Sequence, residues 1–325
     1  CWTCISPDVP RVMKEVGLKE YYKGKWSSKG EHISNPIGCA NCHDSKTMNL
    51  KITQPALVEA FDRMGKDITK VSYQEKRTLT CAQCHVEYYF KGKGKKLTFP
   101  WDKGQTVEAM EEYYDSYEFK DWTHKISKAP MLKAQHPGYE TWQMGTHGKN
   151  GVSCVDCHMP YKTVGGVKVT DHQVQSPLNN MANACLNCHK TNEATLIERI
   201  GDFKGQVEDL KERAEKILVK AHFEAKAAWD AGAKEQEMKK ALMHIRHAQW
   251  RWDYAVAAHG AFFHAPKEML RVLGTSIEKG LNARIELQRI LISKGVNNVR
   301  MPDITSKSKA QKVIGLNITK LKSEK

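Results

Sequence analysis

Residues 81–89 read CAQCHVEYY and bring two thiols, an imidazole, a carboxylate and two phenols into nine positions. The two cysteines are followed directly by His85, and this spacing is the attachment pattern for a c-type haem, in which each thiol adds across a vinyl group and the imidazole reaches the iron. Glu87 and Tyr88 follow within three residues of that ligand, so both are predicted to lie close to a haem. Alternatively, residues 87–90 simply begin a strand or loop that packs on the porphyrin, and this segment alone favours neither.

All ten cysteines of the chain fall into pairs with this CxxC spacing. The pairs are Cys1/Cys4, Cys39/Cys42, Cys81/Cys84, Cys154/Cys157 and Cys185/Cys188. Four of the pairs are followed directly by a histidine: His43, His85, His158 and His189. A zinc site would instead have a spaced second pair of ligands, and a thioredoxin-like motif would not recur without its βαβ surroundings. The pattern therefore predicts a multihaem cytochrome c with five covalently bound haem c groups.

The composition fits a chain whose core is not made of side chains alone. Its 325 residues have a mean hydropathy of −0.60 and only 8% aromatic side chains, so haems would supply the missing apolar surface. The formal charge of +14 is lowered by the haem propionates, by on the order of one charge per ferric haem. The lysines are scattered and form no basic stripe with interleaved aromatics, so we expect no nucleic-acid partner.

The location of the protein follows from the motif and not from any targeting segment. No run of about eighteen apolar residues occurs, so the sequence predicts no transmembrane segment. The chain begins at the first thiol of a motif, without an initiating methionine or a signal peptide, and we expect it to start part-way into a longer precursor. Because haem is ligated to c-type cytochromes outside the cytoplasm, we expect a periplasmic protein.

The first cysteine pair differs from the others because no histidine follows it. Residues 1–11 read CWTCISPDVPR, and this segment resembles the active-site haem motif of the ammonia-forming pentahaem cytochrome c nitrite reductases. In that family the position of Ile5 is a lysine whose amine ligates the iron. Isoleucine has no lone pair, which leaves three accounts: a misassigned lysine, another proximal ligand such as water, or a chain that only carries electrons. We expect a lysine at position 5, because the neighbouring motif residues are retained.

A second segment strengthens the resemblance. Residues 133–138 read KAQHPG, which is similar to the substrate-side segment of the same family. The resemblance implies that His136 faces the distal side of the active haem and that Tyr88 acts beside it. It also implies a calcium site formed by Glu87, Tyr88, Lys133 and Gln135. Lys133 would contribute its carbonyl and Gln135 its side chain, and hard oxygen ligands of this kind suit calcium.

Four haems with a histidine on one side need further histidines if each iron is six-coordinate. His147 and His172 flank the Cys154 site, and the resemblance implies that they ligate the Cys185 and Cys39 haems. It also implies that His264 ligates the Cys154 haem, with His259 as the structural competitor. The family's distal arginine and the second histidine of the Cys81 haem are expected upstream of this sequence, so neither is assigned.

Apolar residues spaced three or four apart predict the helices that must position these groups. Long helices are predicted over 205–229, 235–258 and 266–293, and shorter ones over 55–63, 106–117 and 309–314. We therefore expect a mainly α fold: a compact haem-packed catalytic part over residues 1–200, a long-helix bundle and dimer interface over 201–295, and a polar tail over 296–325. The resembled family dimerises through its long C-terminal helices, so a homodimer is expected.

The resemblance implies six-electron reduction of nitrite to ammonium. The Cys1/Cys4 haem would bind nitrite, His136 would hydrogen-bond or protonate it, and four further haems would supply electrons. The donor would be a membrane quinol-oxidising cytochrome or a soluble one. The rival function is a multihaem electron-transfer cytochrome without a substrate site, for which Ile5 is the best argument. Such a carrier would have no need of the HVEY and KxQHP segments.

Overall fold

The computed structural model describes residues 3–316, so Cys1, Trp2 and residues 317–325 lie outside the part described. The α-helices are α1 (Asp8–Val16), α2 (Leu18–Tyr21), α3 (Cys39–Cys42), α4 (Pro55–Arg63), α5 (Tyr73–Ala82), α6 (Val107–Ser116), α7 (Gly138–Met144), α8 (Thr146–Lys149), α9 (Cys154–His158), α10 (Met181–Ala184), α11 (Glu193–Asp230), α12 (Glu235–Ala257), α13 (Ala261–His264), α14 (Pro266–Ser293) and α15 (Lys307–Val313). Short 3-10 helices span Trp26–Lys29, Ile68–Lys70 and Pro177–Asn180. The mainly α fold is confirmed.

The strands form three small antiparallel hairpins. They pair β1 (Tyr89–Lys91) with β2 (Lys96–Thr98), β3 (Trp122–Thr123) with β4 (Pro130–Met131), and β5 (Tyr161–Val164) with β6 (Val167–Thr170). Strand β1 begins two residues after Glu87, so the haem-motif segment does run into a strand. Among the described residues, no helix combines the length and apolar character needed to cross a membrane.

The described chain divides into two compact units. The haem-loop unit comprises residues 3–117, 134–208 and 254–270, and the helical unit comprises 118–133, 209–253 and 271–316. The sequence predicted contiguous parts with a division near residue 200. Along the sequence, segments of the two units instead alternate. Residues 118–133, which include the β3–β4 hairpin, belong to the helical unit, and residues 254–270, from the end of α12 to the start of α14, belong to the haem-loop unit.

Each of the four CxxCH motifs in the haem-loop unit folds as about one helical turn. The carbonyl of the first cysteine accepts a hydrogen bond from the histidine N–H in three of them: 2.8 Å for Cys39/His43, 3.0 Å for Cys81/His85 and 2.9 Å for Cys185/His189. The fourth motif is α9 itself. Residues three and four apart share one face of a helix, so this turn directs both sulfurs and the imidazole to the same side. Within residues 3–316 every cysteine is a free thiol.

The helical unit is held together by an alanine-rich seam among α11, α12 and α14. Its buried core consists of Ala129, Met131, Ala221, Ala225, Ala228, Ala233, Met238, Ala241, Ile245, Ala283, Leu287 and Leu291. Small side chains let helix backbones approach closely; at Gly280 of α14 an added Cβ would lie 2.7 Å from Ile217 Cγ2 of α11. Arg284 also pairs with the buried Glu224 at 2.7 Å.

The predicted long helices are confirmed over 235–258 and 266–293, and α4 spans the predicted residues 55–63. The first long helix differs, because α11 begins at Glu193 instead of near residue 205. Gly201 and Gly205 weaken helix propensity in this stretch, which hid the start from the periodicity. The actual start is capped by Asn192, whose side chain accepts a hydrogen bond from Thr195 N at 2.8 Å.

Two histidines of the helical unit stack on each other. The rings of His124 and His222 are 3.8 Å apart at 20°, and Ser127 Oγ lies 2.8 Å from His222 Nδ1 and 3.3 Å from His124 Nδ1. Burial, and secondarily the nearby His124, lower the pKa of His222 to about 3. The folded protein therefore holds His222 neutral at pH values where the unfolded chain would protonate it.

Acidification is expected to destabilise the protein through His222. Between about pH 6.5 and pH 3 the unfolded state binds a proton at His222 that the folded state does not. The contribution of His222 to the free energy of unfolding is therefore fully present above about pH 6.5. It falls by up to about 1.4 kcal/mol per pH unit as the pH is lowered towards 3. His222→Gln should flatten the fall in the free energy of unfolding between pH 7 and 5, measured by urea denaturation, and exposed His32→Gln is the control. An equal fall in both variants would contradict this role.

Candidate haem and substrate site

Three pairs of imidazole rings from distant parts of the haem-loop unit face each other at nearly equal spacing. The ring centroids are 6.2 Å apart for His43 and His172, 6.1 Å for His147 and His189, and 6.3 Å for His158 and His264. Each pair joins a motif histidine to the partner that the sequence resemblance assigned to its haem. A metal–imidazole nitrogen bond is about 2.0 Å long and the ring centre lies about 1.1 Å beyond the nitrogen, so two axial imidazoles on one iron have centroids about 6.2 Å apart. The spacing fits six-coordinate haem iron.

The hydrogen bonds of these rings also fit iron ligation. Backbone carbonyls lie within hydrogen-bond distance of three Nδ1 atoms: Met48 O at 2.7 Å from His43, Gln175 O at 2.9 Å from His158, and Thr170 O at 3.0 Å from His172. A ring that donates from Nδ1 keeps the lone pair of Nε2 for a metal. Burial also lowers the pKa of His147 and of His264, the latter to about 4, which favours the neutral ligand form.

His264 is held where its backbone passes directly over Gly145. A Cβ at Gly145 would lie 1.6 Å from His264 O, so only glycine allows this approach. The ring of Phe263 stacks on His147 with a centroid distance of 5.6 Å, which fixes α13 beside α8. His259, the competing ligand, is exposed. The geometry favours His264 over His259.

Replacing His264 by alanine is expected to convert one low-spin haem to high spin, because the Cys154 iron would lose one of its two strong-field ligands. The matched variant His259→Ala should leave the spectrum unchanged. Electron paramagnetic resonance and the visible spectrum of the haem-loaded protein measure both effects. An unchanged spectrum in His264→Ala, or a changed one in His259→Ala, would contradict the assignment.

His136 also contacts the motif histidine His85, and this contact was not predicted from the sequence. The His136 ring lies 6.0 Å from that of His85 and 5.4 Å from that of Tyr88. His136 Nδ1 is buried and has no hydrogen-bond partner among the described residues. Burial, followed by the neighbouring His85, lowers the pKa of His136. Burial, followed by the charge of Cys4, raises the pKa of Tyr88 to about 12. A neutral imidazole and a protonated phenol therefore meet beside the first haem motif.

Glu87 is fully buried next to these groups. Its Oε1 accepts a hydrogen bond from Tyr114 Oη at 3.0 Å and its Oε2 accepts one from Gln135 N at 2.7 Å. The structure thus brings together Glu87 and Gln135, two of the residues predicted to bind calcium. The contact is through the backbone N–H of Gln135, whereas the predicted ligand is its side-chain oxygen; together with the Glu87 carboxylate, that oxygen would suit calcium. Across residues 3–316, no three His, Cys, Asp or Glu side chains converge as a metal site, and the predicted set needs only one carboxylate.

Lys133 belongs to the helical unit, and its side chain is already engaged. Its Nζ lies 2.7 Å and 2.9 Å from the two carboxylate oxygens of Asp253, and its backbone N donates to Asp121 Oδ2 at 2.7 Å. The resemblance assigns only the Lys133 carbonyl to calcium, and these contacts leave that oxygen untouched. The ion pair with Asp253 restrains the residue that would supply it.

Glu140 is a buried acid that the sequence did not single out. Its Oε1 accepts hydrogen bonds from Glu87 N at 2.9 Å and Trp101 Nε1 at 2.8 Å, while Oε2 has no partner in the described part of the chain. Burial raises its pKa to about 8. The one sequence feature that could have singled out Glu140 is its position four residues after His136. Glu140 positions the backbone of Glu87.

Ile5 lies in the turn before α1 and is 38% exposed. Its retained neighbours have structural roles: Ser6 and Val9 are fully buried, and Ser6 Oγ accepts a hydrogen bond from Asp8 N at 3.0 Å. Asp8 also accepts one from Asn35 N at 3.0 Å. Ser6, Asp8 and Val9 are therefore needed by the fold itself, whereas, among the described residues, Tyr88 and His136 are the groups with no such role that face the first haem motif. Cys4 is described, whereas Cys1 is outside the described residues.

The haem loops contact one another. Cys84 Sγ lies 3.9 Å from Cys4 O, Gln83 Nε2 donates to Asn41 O at 3.5 Å, and Cys154 N donates at 3.4 Å to Thr78 Oγ1 on the helix that leads into the Cys81 motif. The Cys81 loop thus touches three other haem loops. Burial, and to a smaller extent the nearby Asp156, Cys185 and Cys188, raise the pKa of the Cys157 thiol to about 11.

Comparison with known proteins agrees with this arrangement. The Cytochrome c552 family profile matches residues 1–325. Proteins named cytochrome c-552 from Parabacteroides distasonis and Bacteroides thetaiotaomicron are 56% and 55% identical over 98% of this chain. The chain spans only 65% of the length of these two relatives.

A solved structure is similar over most of the described chain. It is the catalytic subunit of a cytochrome c nitrite reductase from Desulfovibrio desulfuricans, described with two calcium sites. It matches with a TM-score of 0.82 and 36% identity, over 92% of this chain and 68% of that one.

Proposed function

Because this chain belongs to the cytochrome c552 family, we propose that it forms the haem relay and substrate site of an enzyme that reduces nitrite to ammonium. Covalently bound haem c is implied by the family. The observation that carries the proposal is the contact of the half-buried His136 and Tyr88 rings, at a centroid distance of 5.4 Å, beside the first haem motif. A relay without a substrate site would need neither side chain there.

The proposed cofactors are five haem c groups, held through the ten cysteines. The residues that would hold the irons are His43 with His172, His158 with His264, His189 with His147, and His85 for the Cys81 haem. When bound, these groups supply a substrate-binding iron and a store of electrons. The distal arginine and the second ligand of the Cys81 haem would come from residues outside this sequence.

Reduction of nitrite consumes six electrons and eight protons and yields ammonium and two water molecules. The chain's own contribution is to orient the anion and to deliver protons. Tyr88 remains protonated because its pKa is raised to about 12, so its hydroxyl can donate a hydrogen bond to a nitrite oxygen. His136 is neutral at pH 7 and can hold a proton at one ring nitrogen. Both groups are half-buried, which reduces the competition of water for these hydrogen bonds.

We also propose a calcium ion held by Glu87, Tyr88, Lys133 and Gln135. Support comes from the 2.7 Å hydrogen bond between Gln135 N and the fully buried Glu87 carboxylate. The cation would offset that buried negative charge and hold the residues after His85 and before His136 in register. It would also add positive potential for an anionic substrate.

The proposed assembly is a periplasmic homodimer that accepts electrons from a donor cytochrome, either membrane quinol-oxidising or soluble. The support for dimerisation is a line of exposed apolar residues on α14: Leu281 is 42% exposed, Ile285 50% and Ile292 63%. Their spacing of four and seven places them on one helix face. Covering this face with the same helix of a second copy would remove apolar surface from water.

Ile5 supports the alternative of a protein that only carries electrons, since isoleucine cannot ligate iron. The deciding experiment supplies the full-length, haem-loaded protein with nitrite and a strong artificial reductant and quantifies ammonium. We expect ammonium in proportion to the nitrite consumed, together with a high-spin ferric signal beside the low-spin ones. Absence of both the ammonium and the high-spin signal would identify the protein as a carrier.

A further inference from the structure

Gln83 occupies the second variable position of the motif Cys81–His85 and is only 3% exposed. In a CxxCH motif this position carries neither a thioether nor an iron ligand, so the motif itself leaves the residue type open. The carboxamide of Gln83 is nevertheless engaged at both ends. It links the Cys81 loop to the chain that carries the Cys39 motif.

The oxygen of the carboxamide accepts three hydrogen bonds from the segment that follows the Cys39 motif. Gln83 Oε1 lies 2.5 Å from Thr53 N, 2.9 Å from Gln54 N and 3.1 Å from Thr53 Oγ1. A single buried acceptor with three donors is restrained in position and in rotamer. Residues 53–54 are therefore fixed relative to the Cys81 loop.

The nitrogen of the carboxamide reaches the Cys39 motif itself. Gln83 Nε2 donates to Asn41 O at 3.5 Å and to Thr80 O at 3.2 Å. Asn41 holds the same second variable position in its own motif, and its Oδ1 accepts from Gly38 N at 3.0 Å. The side chain thus bridges two haem-binding turns, and its backbone carbonyl lies 4.0 Å from Cys4 Sγ in a third.

We propose that Gln83 is a positioning residue that holds the Cys39 and Cys81 haem loops in one fixed arrangement and so sets the rate of electron transfer between their haems. The proposal rests on the proposed haem content. The step is the transfer of one electron: ferrous iron in one site becomes ferric, ferric iron in the other becomes ferrous, and no bond forms or breaks. Because each loop would hold its haem through two cysteines and one imidazole, a displacement of the loop would displace the haem.

A side chain without these hydrogen bonds is expected to slow the internal transfer. Gln83→Met keeps the length and volume but loses all five contacts, and a displacement of a positioned group by about 1 Å can lower a rate by up to about 100-fold. The fully oxidised, haem-loaded protein is mixed with substoichiometric reductant without nitrite, and electron redistribution among the haems is followed by stopped-flow absorbance. We expect redistribution to slow by about 10-fold in Gln83→Met through a displacement of less than about 1 Å, with haem content and low-spin spectra unchanged.

Gln54→Met is the matched control. Gln54 is also buried, at 4% exposure, and its side-chain nitrogen has no partner among the described residues, while its backbone bond to Gln83 does not depend on the side chain. This variant should redistribute electrons at the wild-type rate. Redistribution at the wild-type rate in Gln83→Met would overturn the proposal.

Gln83→Glu decides the question if Gln83→Met fails to mature with its haems. It keeps an acceptor for Thr53 and Gln54 but loses the two donated hydrogen bonds, so an intermediate rate is expected and a wild-type rate would overturn the proposal. Nitrite takes no part in the measurement. A wild-type protein that forms no ammonium would therefore refute nitrite reduction without affecting the result for Gln83.

Discussion

A chain that carries isoleucine at position 5 is expected to form ammonium at least about tenfold faster after Ile5→Lys, a change equal to about 1.4 kcal/mol of activation free energy. The amine supplies the lone pair that isoleucine lacks, and axial ligation sets the electronic properties of a haem iron. The turn before α1 can accommodate the change, since Ile5 is 38% exposed and is not packed in the core. Ammonium formation and the high-spin ferric signal measure the effect.

Ile5→Leu is the control, because it changes shape without adding a donor atom. The mass of the haem peptide containing position 5 shows which side chain the natural protein has, and we expect lysine. Equal ammonium formation by the isoleucine and lysine forms would contradict an axial role for position 5. It would leave water or another group as the proximal ligand of the first haem.

His136→Asn is expected to lower ammonium formation by about 100-fold, a loss typical of a removed proton donor. Asparagine can still donate a hydrogen bond but cannot exchange a proton near neutral pH, so nitrite binding should suffer less than turnover. Tyr88→Phe, which keeps the ring beside His136, should cost about tenfold through the loss of one hydrogen bond. Initial rates at several nitrite concentrations separate the two effects.

The spectrum of the His136→Asn protein distinguishes this role from iron ligation. His136 lies 6.0 Å from His85, a spacing close to that of the three assigned pairs. If His136 were the second ligand of the Cys81 haem, its removal would convert a low-spin haem to high spin. We expect the low-spin signals to stay unchanged, and their loss would reassign His136 from the substrate to the Cys81 iron. Exposed His32→Asn controls for loss of an imidazole.

The amino-acid sequence by itself determined the chemistry of the haem motifs and the identity of the long helices. Both are local properties: a CxxCH segment needs only one helical turn to direct its sulfurs and imidazole to one side, and apolar spacing predicted α4, α12 and α14 closely. The start of α11 was missed because Gly201 and Gly205 weaken the same local signal. The retained neighbours Ser6, Asp8 and Val9 are the basis for expecting a lysine at position 5, and their burial and hydrogen bonds give them a structural role as well.

Only the tertiary structure decided which distant groups meet. The sequence offered partners for the motif histidines by resemblance, and the fold placed His43 with His172, His147 with His189 and His158 with His264. These pairings, like the burial of Glu140 and the contacts of Gln83, depend on how the intervening segments fold back on one another. The spacing of residues within a motif carries no information about how these segments fold back. Their course is determined by packing between segments that are remote in the chain.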